Sequence, residues 1–282
     1  RSFWITFDLM LSYFNKVYKE YIMEKLDFRS MQLEELKLLL EFKQFCEKYK
    51  LKYYLCGGTL LGAVRHQGFI PWDDDIDVCM PRPDYEQMIR IVKETQEIDL
   101  IAFELDNCTY PYAKLVNKQI IVKREIEGQD DQFLWMDIFP MDGIPSSLKE
   151  TESLYRKIHI LIKSLLLSKT KLGYGSSLVK KIGKFIVIPL LRVYGSRRIA
   201  CILRRIALST NYEEAEYAGG VVWGLYGIGE RMIKADFEKE AYKEFEGNIF
   251  PVFSCWHEYL SGLYNNYMEL PPEDKQQCHE ME

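Results

Sequence analysis

Apolar residues recur at helical intervals early in the chain and then give way to a strand pattern. Between Met31 and Lys50 they stand three and four positions apart, at Leu38, Phe42, Phe45 and Tyr49, which is the spacing of one helix face. The next run, LKYYLC, is short and aromatic and leads directly into Gly57 and Gly58. The pattern therefore predicts a helix, a strand and a turn that glycine favours.

The next elements contain a dense acidic cluster. Thr59 opens a short helical pattern, TLLGAVRH, which ends before Pro71. The run DIDVCM then alternates acidic and apolar residues with the period of two expected of a strand. We therefore expect Asp73, Asp75 and Asp77 to share one face of a strand.

Later segments continue the mixture of helices and strands. Positions from Asp84 to about Gln96 have helical spacing, and strand-like runs extend from Leu100 to Leu105, from Gln119 to Glu125 and from Phe133 to Met141. Near the carboxyl end, the aromatic run FPVFSCWHEYLSGLYNNYMEL predicts a helix that the following Pro-Pro pair stops. Together these patterns predict an α+β fold class.

Charge is distributed unevenly along the chain. The 282 residues carry 37 basic and 42 acidic side chains, a net charge of −5, which argues against a nucleic-acid partner bound through general basicity. Residues 154–212 hold thirteen Lys and Arg and no Asp or Glu, so only 24 basic residues accompany the 42 acidic ones elsewhere. This segment predicts helices with one apolar and one basic side, broken near Gly173 and at Pro189.

The basic segment suggests a membrane surface but not a membrane span. Its longest apolar run, FIVIPLL, has seven residues, whereas a spanning helix needs about 20. Attraction to anionic lipid contributes about 1 kcal/mol per basic residue near the surface, so we expect residues 154–212 to lie on an anionic membrane. The alternative is a helical subdomain whose basic face is solvated or balances the acidic half.

Cysteine usage and the amino end bear on location. The seven cysteines are an odd number with no C-x-x-C spacing, so neither a disulfide framework nor a zinc site is predicted, and a cytoplasmic location is expected. The first residues, RSFWITFDLMLSYFNKVY, lack the layout of a signal peptide because Asp8 interrupts the apolar run. We interpret residues 1–29 as a leader or peripheral helix.

The acidic cluster and the glycine turn predict a metal-assisted phosphate site. Two carboxylates at i and i+2 of a strand, Asp75 and Asp77, can bind one hard cation such as Mg²⁺ or Mn²⁺. Gly57 and Gly58, with Thr59 at a helix start, let backbone N–H groups approach phosphate oxygens. The order of turn, helix and strand can bring the acids back to the turn.

A third acid is expected on a later strand. Asp137, in WMDIFP, has hydrophobic neighbours, among which an unpaired carboxylate would be costly. The alternatives are that Asp137 is a structural acid paired with Lys or Arg, and that the cluster around Asp75 is a solvated loop. Asp142, in a turn-like MDGI, is interpreted as structural.

These motifs resemble a known family. GGTLLGAVRHQGFIPWDDDIDVCMPRPDY is similar to the signature of the LicD family, and YPYAKL, WMDIFPMDGIP and YLSGLYNNYMELPPEDK follow in that family's order. The resemblance covers roughly residues 30 to 280. It implies a nucleotidyltransferase-like fold of the DNA polymerase beta type, with a mixed sheet core and helices. It also implies transfer of a phospho-alcohol, most often phosphocholine, from a CDP-alcohol donor to a glycan or lipid-linked glycan acceptor.

The resemblance assigns roles to matching positions. The phosphate-binding turn falls on Gly57, Gly58 and Thr59, the metal-binding D-x-D on Asp75 and Asp77, and the third acid on Asp137, as ligand or as base. We expect a catalytic core at residues 30–150 and a part that completes the acceptor side at 213–282. The basic helical segment at 151–212 between them is predicted from its charge alone and matches no motif of the family. After AKL, the run VNKQIIVKRE departs from the threonine-containing strand of many relatives, which leaves the donor pocket's details open.

Further side chains are candidates for binding the donor. Arg65, His66 and Lys114 could contact phosphate, although ion pairs or a loop hydrogen bond would also account for them. Trp72 could hold a quaternary ammonium by cation–π attraction, or belong to the core. An aromatic row near the carboxyl end could stack on the acceptor sugar or simply pack a helix: Trp256, Tyr259, Tyr264 and Tyr267.

Three other functions stay open at this stage. The same chemistry could use CDP-ribitol or CDP-glycerol. A nucleotidyltransferase would transfer the nucleotide and release pyrophosphate. A non-catalytic membrane-surface adaptor would use the basic helices alone, although it would have no need of three convergent carboxylates.

Overall fold

The computed structural model of the protein describes residues 26–122, 132–170, 187–272 and 276. Most of the predicted leader at residues 1–29 lies outside these ranges, as does the predicted helix break near Gly173.

A mixed sheet forms the centre of the molecule. Its strands are β1 (Tyr54–Leu55), β2 (Asp77–Pro81), β3 (Leu100–Ile101), β4 (Ala113–Ile121), β5 (Phe133–Ile144), β6 (Tyr217–Gly220) and β7 (Met232–Ile233). The order is β1-β2-β5-β4-β3, with β6 pairing the far end of β5 and β7 pairing β6. Strands β2 and β5 are parallel and the other pairs are antiparallel. A separate hairpin consists of β8 (Glu240–Phe245) and β9 (Asn248–Phe253).

Helices surround this sheet. They are α1 (Phe28–Tyr49), α2 (Gly57–Arg65), α3 (Arg82–Thr95), α4 (Leu148–Lys169), α5 (Ser196–Ala207), α6 (Lys234–Phe237) and α7 (Trp256–Tyr264). Residues 187–194 are also helical, and short 3-10 helices occupy Phe103–Leu105 and Gly227–Glu230. The predicted α+β fold class is confirmed, and the mixed sheet with its helices is consistent with a nucleotidyltransferase-like fold.

Helix α1 shows how the local sequence sets these elements. Asp27 caps the helix by accepting a hydrogen bond from the Ser30 backbone N–H at 2.8 Å, which satisfies a donor that has no partner inside the helix. Lys50 ends the helix in a left-handed conformation. The predicted apolar face is fully buried at Leu39 and Phe42, so the helix prediction is confirmed.

The basic helices share a core with one end of the sheet. Ile158 and Ile162 of α4 and Leu203 of α5 pack with Ile144 and Val222 in a second hydrophobic cluster. Part of the basic charge balances the acidic half, as the alternative interpretation proposed: Arg204 bonds to Glu104 at 2.9 Å, and Arg197 pairs with Asp106. Within the described ranges, no helix is both long enough and apolar enough to cross a membrane.

Several predicted boundaries were wrong. The run from Leu100 to Leu105 is a strand only over β3, because a 3-10 helix follows at Phe103–Leu105. Strand β4 begins at Ala113 rather than Gln119, since its buried half, AKLV, pairs with β5. Residues 187–194 are helical on both sides of Pro189, so the break predicted at this proline was wrong.

Candidate active site

The glycine turn lies directly against the acidic cluster. Gly57 has φ 53°, a conformation that glycine adopts at little cost. A Cβ atom on Gly57 would lie 2.7 Å from Asp77 Oδ2, and one on Gly58 would lie 2.5 Å from Asp73 Oδ2. A side chain at either position would displace these carboxylates, so the turn and the acids are in direct contact and the prediction that the acids return to the turn is confirmed. Helix α2 begins at Gly57, two residues before the predicted start at Thr59.

The acids occupy a strand end and the loop before it. Strand β2 begins at Asp77, so the prediction that Asp73, Asp75 and Asp77 share one strand face was wrong. The Asp73 N–H donates to the Ile70 carbonyl at 2.9 Å, which turns the chain before the strand starts. Asp73 and Asp75 nevertheless line the same cavity as Asp77.

The parallel pairing of β2 and β5 places the third acid beside the first two. Asp77 and Asp137 are paired in register on these strands, and residues in register on neighbouring strands point to the same face. The Asp137 N–H donates to the Ile76 carbonyl at 2.9 Å. Two carboxylates that are far apart in sequence therefore stand side by side.

Two of the predicted donor-binding residues, Thr59 and Lys114, instead bond to the acids from outside the cavity. Thr59 is buried, and its Oγ1 accepts a hydrogen bond from the Asp77 N–H at 2.8 Å. Lys114 Nζ lies 2.8 Å from Asp137 Oδ1 and 4.4 Å from the centre of the Trp135 ring. Neither Thr59 nor Lys114 lines the cavity. The pairing of Lys114 agrees with the alternative interpretation of Asp137, although Asp137 also lines the cavity.

The carboxylates repel one another. Burial raises the pKa of Asp77 well above its usual range, and the neighbouring charges of Asp75, Asp137 and Asp73 raise it further. The pKa of Glu35, a fully buried residue of α1, is raised by burial and then by the same cluster, with Asp75 contributing most. A bound cation would relieve this repulsion.

A cavity of about 370 Å³ opens above the acids. Its acid wall consists of the glycine turn and four carboxylates: Gly57, Gly58, Asp73, Asp75, Asp77 and Asp137. Its aromatic wall consists of Trp223, Tyr226, Glu230, Tyr259 and Tyr264. Among the described residues that line it there is no Lys, Arg or His. The cavity therefore has acidic and no basic side chains among these residues, and a ligand that brought cations would complement it.

The other donor candidates are distributed around this cavity. Trp72 lines it. His66 lies behind, with its ring 6.3 Å from the Trp72 ring and edge-on to it. Arg65 donates to the Tyr267 carbonyl at 2.9 Å and not to the cavity. Phosphate binding by Arg65, His66 and Lys114 stays a prediction.

Sequence reasoning missed much of the aromatic wall. Trp223, Tyr226 and Glu230 lie between β6 and β7, in the run VVWGLYGIGE, which has no helical or strand period. The available signal was the alternation of aromatic residues with glycine ahead of one acid. Of the aromatic row near the carboxyl end, Tyr259 and Tyr264 reach the cavity, whereas two residues do not: Trp256 and Tyr267.

Comparison with known proteins connects this site to one family. The family model for the LicD/FKTN/FKRP nucleotidyltransferase domain matches residues 50–170, a range that contains the whole acid wall. The chain is 35% identical over 266 residues to the lipopolysaccharide cholinephosphotransferase LicD of Haemophilus influenzae, which covers 92% of this chain and 98% of that protein. It is also 28% identical over 119 residues to an uncharacterised protein of Rickettsia prowazekii, 42% of each chain.

Proposed function

The chain belongs to the LicD family, and we propose that it transfers phosphocholine from CDP-choline to a sugar hydroxyl of a cell-surface glycan or of its lipid-linked precursor. The relative that is named a lipopolysaccharide cholinephosphotransferase supports this proposal, because the similarity extends over nearly the whole of both chains. The structural observation that carries it is the contact between the glycine turn and Asp73 and Asp77, beside the registered pair Asp77 and Asp137.

Mg²⁺ is the cation that we propose for the acid wall, with Mn²⁺ as the alternative. Asp75, Asp77 and Asp137 would hold it, since carboxylate oxygens suit both ions. As they stand, no three Cys, His, Asp or Glu side chains of the described ranges are arranged to hold a metal ion by themselves. Water and diphosphate oxygens would therefore complete the shell, as Mg²⁺ prefers. The bound cation would offset charge on the diphosphate and on the departing CMP.

The chain's own groups orient the donor and the acids. Gly57 and Gly58 form the first residues of α2, where N–H groups without partners inside the helix and the helix dipole favour phosphate. The Gly57 N–H donates to the Tyr259 hydroxyl at 3.4 Å, a long contact that a phosphate oxygen would replace. Thr59 fixes the backbone of Asp77, and Lys114 fixes the side chain of Asp137. These contacts hold the acid wall in place before a ligand arrives, which lowers the cost of reorganisation during the reaction.

The proposed reaction forms one P–O bond and breaks another. The oxygen of the acceptor hydroxyl attacks the phosphorus that carries choline. The bond from that phosphorus to the phosphate oxygen of CMP breaks, and its electron pair leaves with CMP. The hydroxyl proton passes to a carboxylate. Asp137 can fill either of two roles, as the acceptor of this proton or as part of the ligand set.

Purified protein supplied with CDP-choline, Mg²⁺ and a glycan acceptor tests the proposal by release of CMP. We expect the double variant Asp75→Ala/Asp77→Ala to lose turnover, and full turnover in this variant would exclude the acid wall as the site. Parallel reactions with CDP-ribitol and CDP-glycerol decide the donor, since a preference for either would replace choline in the proposal.

We also propose that the protein acts at the cytoplasmic face of the cell membrane, on an anionic lipid surface. The helical residues 187–194 expose apolar side chains, with Leu190 64% and Val193 82% exposed. Arg192 and Arg198 are exposed close by in sequence. Apolar side chains next to basic ones are typical of helices that lie in the membrane interface. Three lysines of the basic segment lie outside the described residues: Lys180, Lys181 and Lys184.

A further inference from the structure

The aromatic wall contains a buried acid that the proposed transfer does not use. Glu230 is only 6% exposed, and its Oε1 lies 3.4 Å from the Tyr226 N–H. It ends the 3-10 helix Gly227–Glu230, outside the segment that carries the acid wall. A buried carboxyl is costly unless a partner offsets its charge. No basic side chain of the described residues lines the cavity, so a cation that offset this charge would be one that the ligand brings.

Aromatic rings line the same cavity as this acid. The rings of Tyr226 and Tyr264 have centres 5.3 Å apart and are inclined at 76°, so they present two differently oriented faces. Trp223 lines the same cavity. Its ring centre lies 5.2 Å from that of Tyr112 in an edge-on arrangement, and this packing holds the indole in place. Tyr226 is 46% exposed, so its ring is accessible to a ligand.

We propose that Glu230, Tyr226 and Trp223 form the subsite that binds the quaternary ammonium of the donor alcohol, an inference that rests on the proposed phosphocholine transfer. A trimethylammonium group has no N–H to donate. It is recognised instead by the faces of aromatic rings and by a nearby negative charge. The aromatic wall provides both within one cavity.

The two walls suit oppositely charged parts of the donor, which supports this assignment. The acid wall, with its cation, suits the negatively charged diphosphate. The aromatic wall has a single carboxylate among its rings, so it suits the positive end of the same ligand. Burial raises the pKa of Glu230 to about 8, and a neighbouring cation would favour the ionised form and release the proton.

A neutral donor of the same shape tests the subsite. In CDP-3,3-dimethylbutanol a carbon atom replaces the choline nitrogen, so size is kept and charge is lost. We expect kcat/KM of the unmodified enzyme for CDP-choline to exceed that for the neutral donor by about tenfold or more. Glu230→Gln should lower kcat/KM for CDP-choline by about tenfold and leave the neutral donor within about twofold.

Two further variants keep the test interpretable if Glu230→Gln fails to fold. Tyr226→Leu removes the ring at a half-exposed position and should reduce the preference for CDP-choline, whereas Tyr226→Phe should retain it. Glu258→Gln, an exposed charge change on α7, should leave both donors unaffected.

The possible outcomes distinguish failure of the proposed subsite from failure of the proposed function. Equal use of the two donors by the unmodified enzyme would overturn the subsite while phosphocholine transfer stands. An equal loss of kcat for both donors in Glu230→Gln would assign Glu230 to acceptor activation instead. Failure to use CDP-choline at all would overturn the proposed function, and the subsite with it.

Discussion

At the scale of single residues, the site depends on carboxylates that the fold holds together against their repulsion. Asp77 is surrounded by the charges of Asp75, Asp137 and Asp73, which raise its pKa beyond the effect of burial. A fold that retained such a cluster without a ligand would be destabilised by it. The arrangement is therefore better explained by binding of a cation than by stability.

The variant Asp77→Asn distinguishes a role in cation binding from a role in stability. We expect turnover to fall by about 10³-fold or more, because the amide cannot replace a carboxylate as a cation ligand. The thermal midpoint should not fall, since the change removes a repelling charge. Steady-state CMP release and thermal unfolding measure the two effects.

Asp236→Asn serves as the matched control, because Asp236 is exposed on α6. It should leave turnover and the thermal midpoint unchanged. A large loss of stability in Asp77→Asn would contradict the account.

Glu230 makes the stability of the protein depend on pH. An unfolded chain releases the glutamate proton near pH 4.3, whereas the folded protein keeps it to about pH 8. Stability contributed by this group therefore falls as pH rises across that window. Its titratable neighbours Tyr155, Tyr259 and Cys56 stay neutral there, because burial raises the pKa of each.

Glu230→Gln should remove this dependence. The gain in unfolding free energy over the unmodified protein should grow from near zero at about pH 4.5 to roughly 3–5 kcal/mol at about pH 8. Chemical denaturation at several pH values measures it, with Glu258→Gln as control. A difference that did not change with pH would show that Glu230 is not buried as a neutral acid.

Site residues could be predicted from the sequence when their partners lie close to them along the chain, and not when the partners come from distant segments. Asp75, Asp77 and the glycine turn belong to one continuous motif, so their chemistry could be inferred from spacing. Asp137 required only a strand with a conspicuous acid. Glu230 could not be predicted, because its neighbours come from separate elements that meet only in the folded cavity.

At the scale of elements, the turn between β1 and α2 is the most constrained part of the site. Gly57 combines a positive φ with a close approach to Asp77. Gly247, in the turn between β8 and β9, has φ 71° but nothing within 4 Å of its Cβ position. A side chain at Gly247 would therefore meet backbone strain alone, whereas one at Gly57 would meet both backbone strain and a steric clash.

Alanine substitution at both positions uses this difference. Gly247→Ala should cost about 1 kcal/mol of unfolding free energy through backbone strain alone and should keep full activity. Gly57→Ala should cost more and reduce turnover at least about tenfold, because its Cβ displaces the Asp77 carboxylate. Equal effects of the two variants on turnover would contradict the proposed role of the turn.

Helices with strong local patterns and the strands β1 and β2 were predicted, whereas β6 to β9 were not. The predicted carboxyl-terminal helix wrongly included FPVF, which belongs to β9, and the helix itself is Trp256–Tyr264. Helices α1 and α3 have clear apolar faces, and most of β5 was predicted because its run is long and apolar. Strands β6 and β7 have four and two residues. Their hydrogen bonds go to distant parts of the chain, so no local period marks them.

At the scale of the whole molecule, the basic helices connect the catalytic cavity to a surface. The cluster that packs α4 and α5 includes Val221 and Val222, directly before Trp223 of the aromatic wall. The proposed membrane-binding helices and the cavity thus belong to one packed unit. This continuity fits an enzyme whose acceptor is attached to lipid.

Binding to lipid vesicles tests the proposed attachment of the basic helices to a membrane. Sedimentation with vesicles that contain anionic lipid should retain the protein at low salt and release it at high salt, since the attraction is screened. Leu190→Glu/Val193→Glu should weaken binding at least about tenfold. Ile249→Glu, at an exposed apolar position of β9, should have no effect. Failure of the unmodified protein to bind at low salt would remove the membrane proposal.

The most direct test of the central claim identifies both products of one reaction by mass spectrometry. With CDP-choline, Mg²⁺ and a glycan acceptor, we expect the acceptor to gain the mass of phosphocholine and an equal amount of CMP to be released. An acceptor that gained the nucleotide, or a reaction that ran only with CDP-ribitol or CDP-glycerol, would contradict phosphocholine transfer by this protein.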